Sequence, residues 1–491
     1  MKLLQELIQV DKEADQAVYL QITNAFIRNI RRGKLRKELK LPGSRKIAGL
    51  LRVNRMTVVA AFDELRAQGW IERIPRKGTF IRKDLPDIQP ESLTEDESVG
   101  YFPDTTSFHL DAGGEDEFPT MKRSSSYKLE INDGFPDIRM APADHLFRTM
   151  RSLSKREVFK KYLKYGGPHG TNKLRKVLAL HLRDTRGLPV SKENILITRG
   201  AQMALFLISE LLLKSGDQVI VGEPGYFGAN RTFKRRGAKL HYVPVDEKGI
   251  DVDTIEQICK KHSVRLVYAI PHHHHPTTVT LAPERRLHLL ELAARYNFAI
   301  VEDDYDYDFH YASRPVQPMA SLDQSGNVIY AGTFTKTLAP AIRLGFVVGA
   351  RNLIDALAQQ RRAVDWQGDH LMEAAIAELF KDGTIGRHIK KSVKLYKQRR
   401  DHFCELLHTH LKPHINFSIP DGGMSVWVAF KDVSLPELSE RTAENGLRIS
   451  DGRVYNTHEQ NYNSLRMGFA SLDKDEQVQA VNILRQSLKN I

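Results

Sequence analysis

Apolar positions near the start of the chain predict three consecutive helices. The first lies within residues 17–32, where apolar residues recur near helical spacing at Leu20, Phe26, Ile27 and Ile30. Ser44 is the expected N-cap of a second helix over residues 45–51, and Asn54 is the expected N-cap of a third over residues 55–68. The N-terminal region is therefore predicted to be a small helical domain with short connections.

A basic hairpin is predicted directly after these helices, over residues 70–81. Three helices followed by a hairpin are the elements of a winged helix-turn-helix. In such a domain the helix N-termini meet phosphates, the third helix reads the major groove, and the hairpin tip fits the minor groove. The alternative is a helical domain with a solvated basic face. The residues expected to contact DNA are Ser44, Arg45, Arg55, Thr57, Arg76, Lys77 and Gly78.

The pattern changes from about residue 126, where helices alternate with short apolar strands. This alternation predicts an α/β domain with a largely parallel sheet. Polar residues follow several predicted strands, among them Asp303 after residues 298–302 and Lys336 after residues 328–330. Because ligands bind at the carboxyl ends of strands in open α/β sheets, these residues are expected to lie together.

Residues 83–125 separate the two patterned regions and show no periodicity. They are acidic and rich in Ser, Thr, Asp, Pro and Gly, which is typical of a solvated linker. The predicted organisation is a DNA-binding domain over residues 1–82, a flexible linker over residues 83–125, and a larger domain over residues 126–491.

Charge and cysteine content indicate which partner the protein binds and in which compartment it is found. Residues 1–82 contain 18 Lys and Arg against 8 Asp and Glu, a net charge of +10. Residues 121–491 carry +13 over a far longer stretch, so positive charge is densest in the first domain, as nucleic-acid binding requires. The two cysteines, Cys259 and Cys404, are far apart and indicate a reducing compartment. Residues 204–213 form the longest apolar stretch and are too short to span a bilayer. We therefore expect a cytoplasmic protein without a membrane segment.

Three short motifs resemble the DNA-binding domain of GntR-type bacterial regulators. They are Leu41-Pro-Gly-Ser-Arg-Lys-Ile-Ala, Asn54-Arg-Met-Thr-Val, and Gly69-Trp-Ile-Glu with the later Gly78-Thr-Phe. The resemblance covers about the first 80 residues. It implies the same winged helix-turn-helix and double-stranded DNA as the partner.

Residues of the larger domain match the needs of one cofactor, pyridoxal 5′-phosphate. Lys336, between small hydroxyl residues, would form the covalent link, and Asp303 would keep the pyridine nitrogen protonated. Tyr226 would stack on the ring and Tyr305 would donate to its phenolate oxygen. A phosphate cup would comprise Gly200, Ala201, Gln202, Thr333, Thr335 and Arg343. Taken alone, Lys336 is equally consistent with a surface lysine beside a helix.

The order of these residues resembles fold-type I aminotransferases across residues 130–491. Further matching motifs are Asn132-Asp-Gly-Phe-Pro-Asp, Tyr165-Gly-Gly-Pro-His-Gly, Gly422-Gly-Met and Leu465-Arg-Met-Gly-Phe. The resemblance implies a smaller C-terminal α+β subdomain, and it implies that Arg466 binds the carboxylate of an amino-acid ligand. It also implies a head-to-tail homodimer in which Tyr165 contributes to the partner's cofactor pocket. A scaffold that has lost the cofactor is the alternative.

Both halves together resemble the MocR/GabR subfamily of GntR regulators, nearly end to end. The resemblance implies a pyridoxal-phosphate-dependent transcription regulator that senses an amino acid, an amine or the cofactor and binds an operator with repeated half-sites. The alternative is an aminotransferase with an appended DNA-binding domain. Lys336 supports both, because the same lysine can move protons in transamination.

Two segments depart from the subfamily pattern. His272, His273, His274 and His275 replace a Ser-His-Gln-containing loop, and Thr278 replaces a glycine. Consecutive histidines cannot all face one ion, so we predict no metal site and a loop that packs over the cofactor. Residues 35–40 replace the usual Pro-Gly turn before the second helix.

Overall fold

The computed structural model describes residues 4, 7–11, 14, 16–85, 105–110, 127–312, 316–457 and 460–489. The chain divides into two compact units, Met1–Ala112 and Gly113–Ile491. Most of the predicted linker, residues 86–104 and 111–125, lies outside the described residues. Within the described ranges, no helix has the length and apolar character needed to cross a membrane.

Over the described residues 16–85, the first unit contains three helices and a small antiparallel sheet in the strand order β1-β3-β2. Its elements are α1 (Val18–Arg31), β1 (Lys40–Leu41), α2 (Ser44–Leu51), α3 (Arg55–Ala67), β2 (Ile71–Ile74) and β3 (Gly78–Ile81). The three helices and the hairpin are confirmed, and β1 is an addition that pairs with β3. Leu35 is buried in the turn before β1, and Glu38 N donates to Ile81 O (3.0 Å), which ties this altered turn to the hairpin.

One of the two predicted helix caps is confirmed and the other is wrong. The Asn54 side chain accepts a hydrogen bond from Met56 N (2.8 Å) at the start of α3. Ser44, in contrast, is the first residue of α2, and the N-cap is Gly43 in an extended conformation without a side-chain hydrogen bond. Glycine is acceptable at an N-cap because it adopts the required dihedral angles freely, so the helix begins one residue earlier than predicted.

The second unit contains most of the secondary structure. Its helices are α4 (Ala143–Ser154), α5 (Asn172–Arg186), α6 (Ala201–Leu212), α7 (Phe227–Arg235), α8 (Val252–Lys261), α9 (Pro283–Tyr296), α10 (Arg351–Asp365), α11 (His370–Lys381), α12 (Thr384–Leu411), α13 (Leu435–Glu444) and α14 (Lys474–Leu488). Its strands are β4 (Leu129–Glu130), β5 (Ile195–Thr198), β6 (Gln218–Glu223), β7 (Lys239–Asp246), β8 (Gly249–Ile250), β9 (Val264–Ala269), β10 (Ala299–Asp304), β11 (Val328–Thr333), β12 (Gly345–Val348), β13 (Ile415–Phe417), β14 (Ser425–Phe430), β15 (Leu447–Arg448) and β16 (Ser464–Gly468).

The main sheet has eight strands in the order β5-β12-β11-β10-β9-β6-β7-β8. The run β11-β10-β9-β6-β7 is parallel, whereas β12 is antiparallel to both of its neighbours. Helices cover both faces: Val301 packs with α6 and α10, and the adjacent Ile300 packs with α8 and α9. Strands buried on both faces read as continuous apolar runs, which is why the sequence shows them clearly.

A smaller α+β subdomain follows the main sheet, as predicted. Strands β13, β14 and β16 form an antiparallel sheet, and β15 pairs with β4 from the start of the unit. Helices α12 and α14 share its core. Residues 131–137 follow β4, and Gly134 of this segment accepts a hydrogen bond from Lys336, which lies just beyond β11 of the main sheet.

Candidate functional site

A cavity of about 790 Å³ lies at the carboxyl ends of the parallel strands. Parallel pairing aligns Asp303 of β10 with Ala331 of β11, so the residues that follow the two strands meet at one edge of the sheet. The cavity is lined by most of the predicted site residues: Ala201, Gln202, Tyr226, Asp303, Tyr305, Thr333, Thr335, Lys336, Arg343 and Arg466. The structure therefore brings together residues that are widely separated in sequence.

Lys336 lies in the cavity wall, just after β11. Its Nζ donates a hydrogen bond to Gly134 O (2.7 Å) and lies 4.1 Å from the centre of the Phe135 ring. Burial lowers the pKa of Lys336 to about 8; Asp133 opposes this effect and Arg466 adds to it. A lysine with a lowered pKa is neutral more often near pH 7, which covalent attachment to a carbonyl compound requires.

Asp303 is a buried carboxylate in which one of the two oxygens lacks a hydrogen-bond partner among the described residues. Its Oδ2 accepts a hydrogen bond from Tyr268 Oη (2.8 Å), whereas Oδ1 has no hydrogen-bond partner among the described residues. Burial raises the pKa of Asp303 to about 7, although the Tyr268 hydrogen bond lowers it, and Asp304 and Asp306 add to the rise. Because an unpaired buried acceptor is costly, Asp303 Oδ1 is suited to a cationic N–H of a ligand.

The start of α6 and Arg343 form a cradle for an anion. Gly200 is the N-cap of α6 with a φ of 87°, and a Cβ there would lie 3.2 Å from Arg343 Nη2. The same Nη2 donates to Arg199 O (2.9 Å). Thr333 Oγ1 and Thr335 Oγ1 are 2.9 Å apart on the neighbouring turn. Helix N–H groups, a guanidinium and two hydroxyls at one place are donors suited to a phosphate.

The two predicted aromatic residues have different surroundings. Tyr226 is the N-cap of α7, and its ring centre lies 5.1 Å from that of His275, edge to face. Tyr305 Oη donates to His273 O (2.8 Å) and accepts a hydrogen bond from Arg466 Nη2 (2.9 Å). The Tyr305 proton would have to leave His273 O before it could be donated to a ligand oxygen.

Arg466 lies on β16 with its side chain enclosed. Besides the bond to Tyr305, its Nε donates to Asp133 O (3.3 Å) and its Nη1 donates to Pro276 O (3.1 Å). Asp133 Oδ1 is 3.5 Å from Arg466 Nε. The predicted carboxylate-binding residue is therefore in the cavity wall, but each of its nitrogens already has a protein oxygen as a partner.

The four consecutive histidines are buried and have separate partners. His272 contacts Val316 O, His273 Nδ1 is 2.9 Å from Asp306 Oδ1, His274 Nδ1 is 3.0 Å from Thr277 Oγ1, and His275 Nε2 is 2.9 Å from Asp133 Oδ2. Of the four, only His275 lines the cavity. In the described parts of the chain, no group of three or more His, Cys, Asp or Glu side chains could hold a metal ion. Thr278 has a φ of 65°, a region that the glycine it replaces adopts more readily.

Tyr165 lies outside the cavity of its own chain. Its side chain is 85% exposed, and its ring centre is 6.0 Å from that of Trp366, which is also exposed. Its assignment to a partner's pocket stays a prediction.

The predicted DNA-contacting residues surround the start of α3 and the hairpin tip. Val58 and Leu65 of α3 are buried, and Phe62 packs edge-on against Phe26 with ring centres 5.9 Å apart. The predicted cationic contacts Arg45, Arg55, Arg76 and Lys77 are all exposed. Ser44 and Thr57 are half-buried at the starts of α2 and α3. Gly78, with a φ of 122°, begins β3 at the turn of the hairpin.

Three residues of the site were not singled out from the sequence. Tyr268 pairs with Val301 across β9 and β10, which places it beside Asp303 on the same face of the sheet. Asp133 follows an Asn132 that caps the turn, because Asn132 Oδ1 accepts from Gly134 N (3.0 Å). Tyr455 Oη donates to Asp133 Oδ1 (2.8 Å). Strand alternation could have identified Tyr268, whereas Asp133 and Tyr455 meet only through the tertiary fold.

These residues fit pyridoxal 5′-phosphate on two structural grounds. The buried Asp303 Oδ1 lacks a partner among the described residues, as expected where a protonated ring nitrogen would bind. Gly200 and the Arg343 guanidinium form a cradle for the phosphate, and a Cβ at position 200 would partly fill it. Lys336 lies in the same cavity with a lowered pKa.

Comparison with known proteins agrees with both halves of the sequence analysis. The family model described as bacterial regulatory proteins, gntR family, matches residues 18–81, and the model described as aminotransferase class I and II matches residues 137–484. The probable rhizopine catabolism regulatory protein MocR of Rhizobium meliloti is 29% identical over 98% of this chain and 96% of its own length. Aromatic-amino-acid aminotransferase 1 of Thermococcus litoralis is 30% identical over 68% of this chain and 82% of its own.

A solved structure gives the same result for the larger unit. Kynurenine aminotransferase of Pyrococcus horikoshii, in complex with PMP, KYN and KYA, aligns with a TM-score of 0.69 and 29% identity. The alignment covers 75% of this chain and 92% of that one. The predicted architecture, a winged helix-turn-helix joined to a fold-type I aminotransferase-like domain, is confirmed.

Proposed function

The chain belongs to the aminotransferase class I and II family and carries a gntR-family domain ahead of it, as MocR-type regulators do; on this premise we propose that it is a transcription regulator that senses an amino acid, an amine or pyridoxal phosphate. The combination of the two domains carries the proposal. The MocR protein matches along 98% of this chain, whereas the Thermococcus aminotransferase matches along 68%. A DNA-binding domain has no use in transamination but is required for control of a promoter.

Pyridoxal phosphate would be held by the cavity residues in distinct roles. When bound, it supplies an electrophilic carbon and an electron-withdrawing ring. Lys336 Nζ would provide the covalent link, Asp303 Oδ1 would accept a hydrogen bond from the ring nitrogen, and Tyr226 would pack against the ring. The start of α6 (Gly200, Ala201, Gln202), together with Thr333, Thr335 and Arg343, would hold the phosphate. Support comes from the single cavity that all of these residues except Gly200 line.

The first unit would bind operator half-sites. Arg45 and Arg55 would meet phosphates, Thr57 would reach base edges in the major groove, and the hairpin tip would enter the minor groove. A head-to-tail homodimer would present two such domains, and Tyr165 would complete the partner's pocket. We assign the domains to residues 1–82 and 126–491, and we expect the protein in the cytoplasm, where its DNA is.

The test measures DNA binding and ligand binding on the same full-length protein. The protein is titrated into DNA fragments from the region upstream of its own gene. The titration is repeated at several salt concentrations, with and without pyridoxal phosphate and a panel of amines and amino acids. We expect affinity to fall steeply with salt, because phosphate contacts release counterions. We also expect at least one amine to change the affinity or the size of the protected site.

Two results would refute the proposal. DNA binding without any salt dependence would show that the assigned cationic residues do not contact DNA phosphates. Binding that depends on salt but responds to no cofactor, amine or amino acid would leave a DNA-binding protein whose second domain is not a sensor.

A second candidate function is transamination with an appended DNA-binding domain. The observation that favours it is the complete set of Lys336, Asp303 and the anion cradle around one cavity. Incubation of the loaded protein with amino acids and 2-oxoglutarate distinguishes the two functions. Repeated turnover would indicate an enzyme, whereas a single half-reaction fits a sensor.

A further inference from the structure

The charges that line the cavity restrict the ligand that it can accept. Its cationic side chains are Lys336, Arg343, Arg448 and Arg466. In the proposed function Lys336 is occupied by the covalent link and Arg343 by the phosphate. Arg448 Nη1 already lies 3.8 Å from Glu130 Oε1. Arg466 is the remaining cation for a ligand carboxylate.

Arg466 is poorly placed for that role in this chain. Its side chain is 1% exposed, whereas that of Asp133 beside it is 33% exposed. The Arg466 nitrogens donate to Asp133 O, Pro276 O and Tyr305 Oη. A ligand that enters the cavity therefore meets the Asp133 carboxylate before the Arg466 guanidinium, and a ligand carboxylate would be repelled by it.

Asp133 is held in place as a charged group. Its Oδ2 is 2.9 Å from His275 Nε2, and its Oδ1 accepts from Tyr455 Oη (2.8 Å). Burial alone would raise the pKa of Asp133, but His275, Arg466 and Lys336 hold it well below its usual range. Each carboxylate oxygen can accept more than one hydrogen bond, so Asp133 has capacity for an additional donor.

We infer that the effector is a short aliphatic diamine, and that Asp133 is the residue that recognises its second ammonium group. This inference rests on the proposed function, because it requires a ligand amine to bind beside Lys336. Lys336 Nζ donates to the carbonyl oxygen of Gly134, the residue next to Asp133, and both Lys336 and Asp133 line the same cavity. A diamine could therefore place one nitrogen near Lys336 Nζ and the other against the carboxylate.

The test compares two ligands that differ only at one end. Full-length protein loaded with pyridoxal phosphate is titrated with 1,5-diaminopentane and with 5-aminopentanoate, and the absorbance of the cofactor is followed. We expect half-saturation by the diamine at a concentration at least about tenfold lower, the effect of one charge-assisted hydrogen bond. In Asp133→Asn this preference should disappear while the cofactor spectrum of the unliganded protein persists.

Two further variants serve as a control for Asp133→Asn and as its substitute if that variant does not fold. Asp451→Asn removes a carboxylate at the cavity rim that is paired with Arg453 (2.6 Å), and it should leave the diamine preference unchanged. If Asp133→Asn does not fold, Tyr455→Phe removes one hydrogen bond to Asp133 but keeps its charge. In that variant we expect the diamine to bind severalfold more weakly and 5-aminopentanoate to bind as before.

The outcomes separate this inference from the proposed function. Tighter binding of 5-aminopentanoate, or an equal preference in wild type and Asp133→Asn, overturns the diamine inference and leaves amine sensing intact. A spectral response to α-amino acids alone does the same. If the loaded protein responds to no amine or amino acid, both the inference and amine sensing are refuted.

Discussion

At the residue scale, the neighbours of Lys336 determine when its amine can react. Burial lowers the pKa of Lys336 to about 8, from an ordinary value of 10.5. The amine is therefore mostly protonated below pH 8 and mostly neutral above it. Since only the neutral amine attacks a carbonyl carbon, the attachment rate should depend on pH within a range where an exposed lysine is uniformly protonated.

We predict that attachment of pyridoxal phosphate to the cofactor-free protein accelerates about tenfold per pH unit up to pH 8 and then levels off. Stopped-flow absorbance from pH 6 to pH 9.5 measures the rate. Nα-acetyl-lysine amide in the same buffers corrects for ionisation of the cofactor, and Lys336→Ala should show no attachment. If the corrected rate keeps rising past pH 9, the Lys336 amine has an ordinary pKa.

Asp303 shows what sequence could and could not predict about the site. Its place at the carboxyl end of a buried strand identified it, because parallel strands bring their carboxyl ends to one edge. Burial raises its pKa, Tyr268 opposes the rise, and Asp304 and Asp306 add to it, and all of these effects require the tertiary structure. Asp133 lies within a recognisable motif, but its role in the site could not be predicted from sequence. Its contacts to His275 and Tyr455 join residues that no local pattern connects.

At the scale of elements, the histidine loop between β9 and α9 carries local strain. Thr278 has a φ of 65°, although it is β-branched and buried. A left-handed conformation costs a non-glycine residue roughly 1–2 kcal/mol. The Thr278 N–H donates to His274 O, a bond that any residue at this position would retain. The strain therefore belongs to the Thr278 side chain and not to the path of the loop.

We predict that Thr278→Gly stabilises the second unit by about 0.5–1 kcal/mol, since relief of strain exceeds the added flexibility of the unfolded chain. Calorimetry at one scan rate should show a higher transition temperature. The matched control is Thr232→Gly, an equally buried threonine in α7, whose Oγ1 bonds Gly228 O (2.7 Å). Thr232→Gly should destabilise the second unit, because it removes this hydrogen bond and places a glycine within a helix. A lower transition temperature for Thr278→Gly would show that its hydroxyl or methyl group contributes more than the strain costs.

Helix α3 gives a second prediction at this scale. Arg55 is exposed at the N-terminus of α3, whereas Arg66 lies in its last turn and pairs with Asp63 (3.1 Å). If Arg55 contacts a phosphate, Arg55→Ala should weaken DNA binding at every sequence and reduce the salt slope by about one. Arg66→Ala should change neither. Equal effects of the two changes would mean that the domain binds DNA only through its net charge.

The same helices show where sequence patterns reach their limit. The Asn54 cap is local, since its side chain bonds the backbone two residues on, and it was predicted correctly. Ser44 was equally suitable as a cap, but Gly43 adopts the cap conformation and α2 starts at Ser44. Composition cannot choose between two adjacent residues that are both good N-caps, because the path of the preceding turn decides between them.

At the scale of the whole molecule, the proposed homodimer would give the exposed apolar surface around Tyr165 a role. Tyr165 is 85% exposed, Leu163 65%, Trp366 50% and Val364 49%. Apolar side chains grouped on a surface usually mark an interface. Tyr165 does not line the cavity of its own chain, so any part that it takes in the site must be in a partner's cavity.

Hybrid dimers of two defective chains test this arrangement directly. We predict that Tyr165→Ala and Lys336→Ala each lower cofactor binding as homodimers, and that co-expression of the two restores it. In the hybrid, the chain with Tyr165→Ala keeps its own Lys336 and receives Tyr165 from its partner, so one of the two sites is complete. Tandem affinity tags isolate the hybrid, and borohydride reduction followed by mass spectrometry counts the attached cofactor. One wild-type site per hybrid supports exchange across the interface. If Tyr165 acted within its own chain, neither site would be complete, and the hybrid would bind no better than the Tyr165→Ala chain alone.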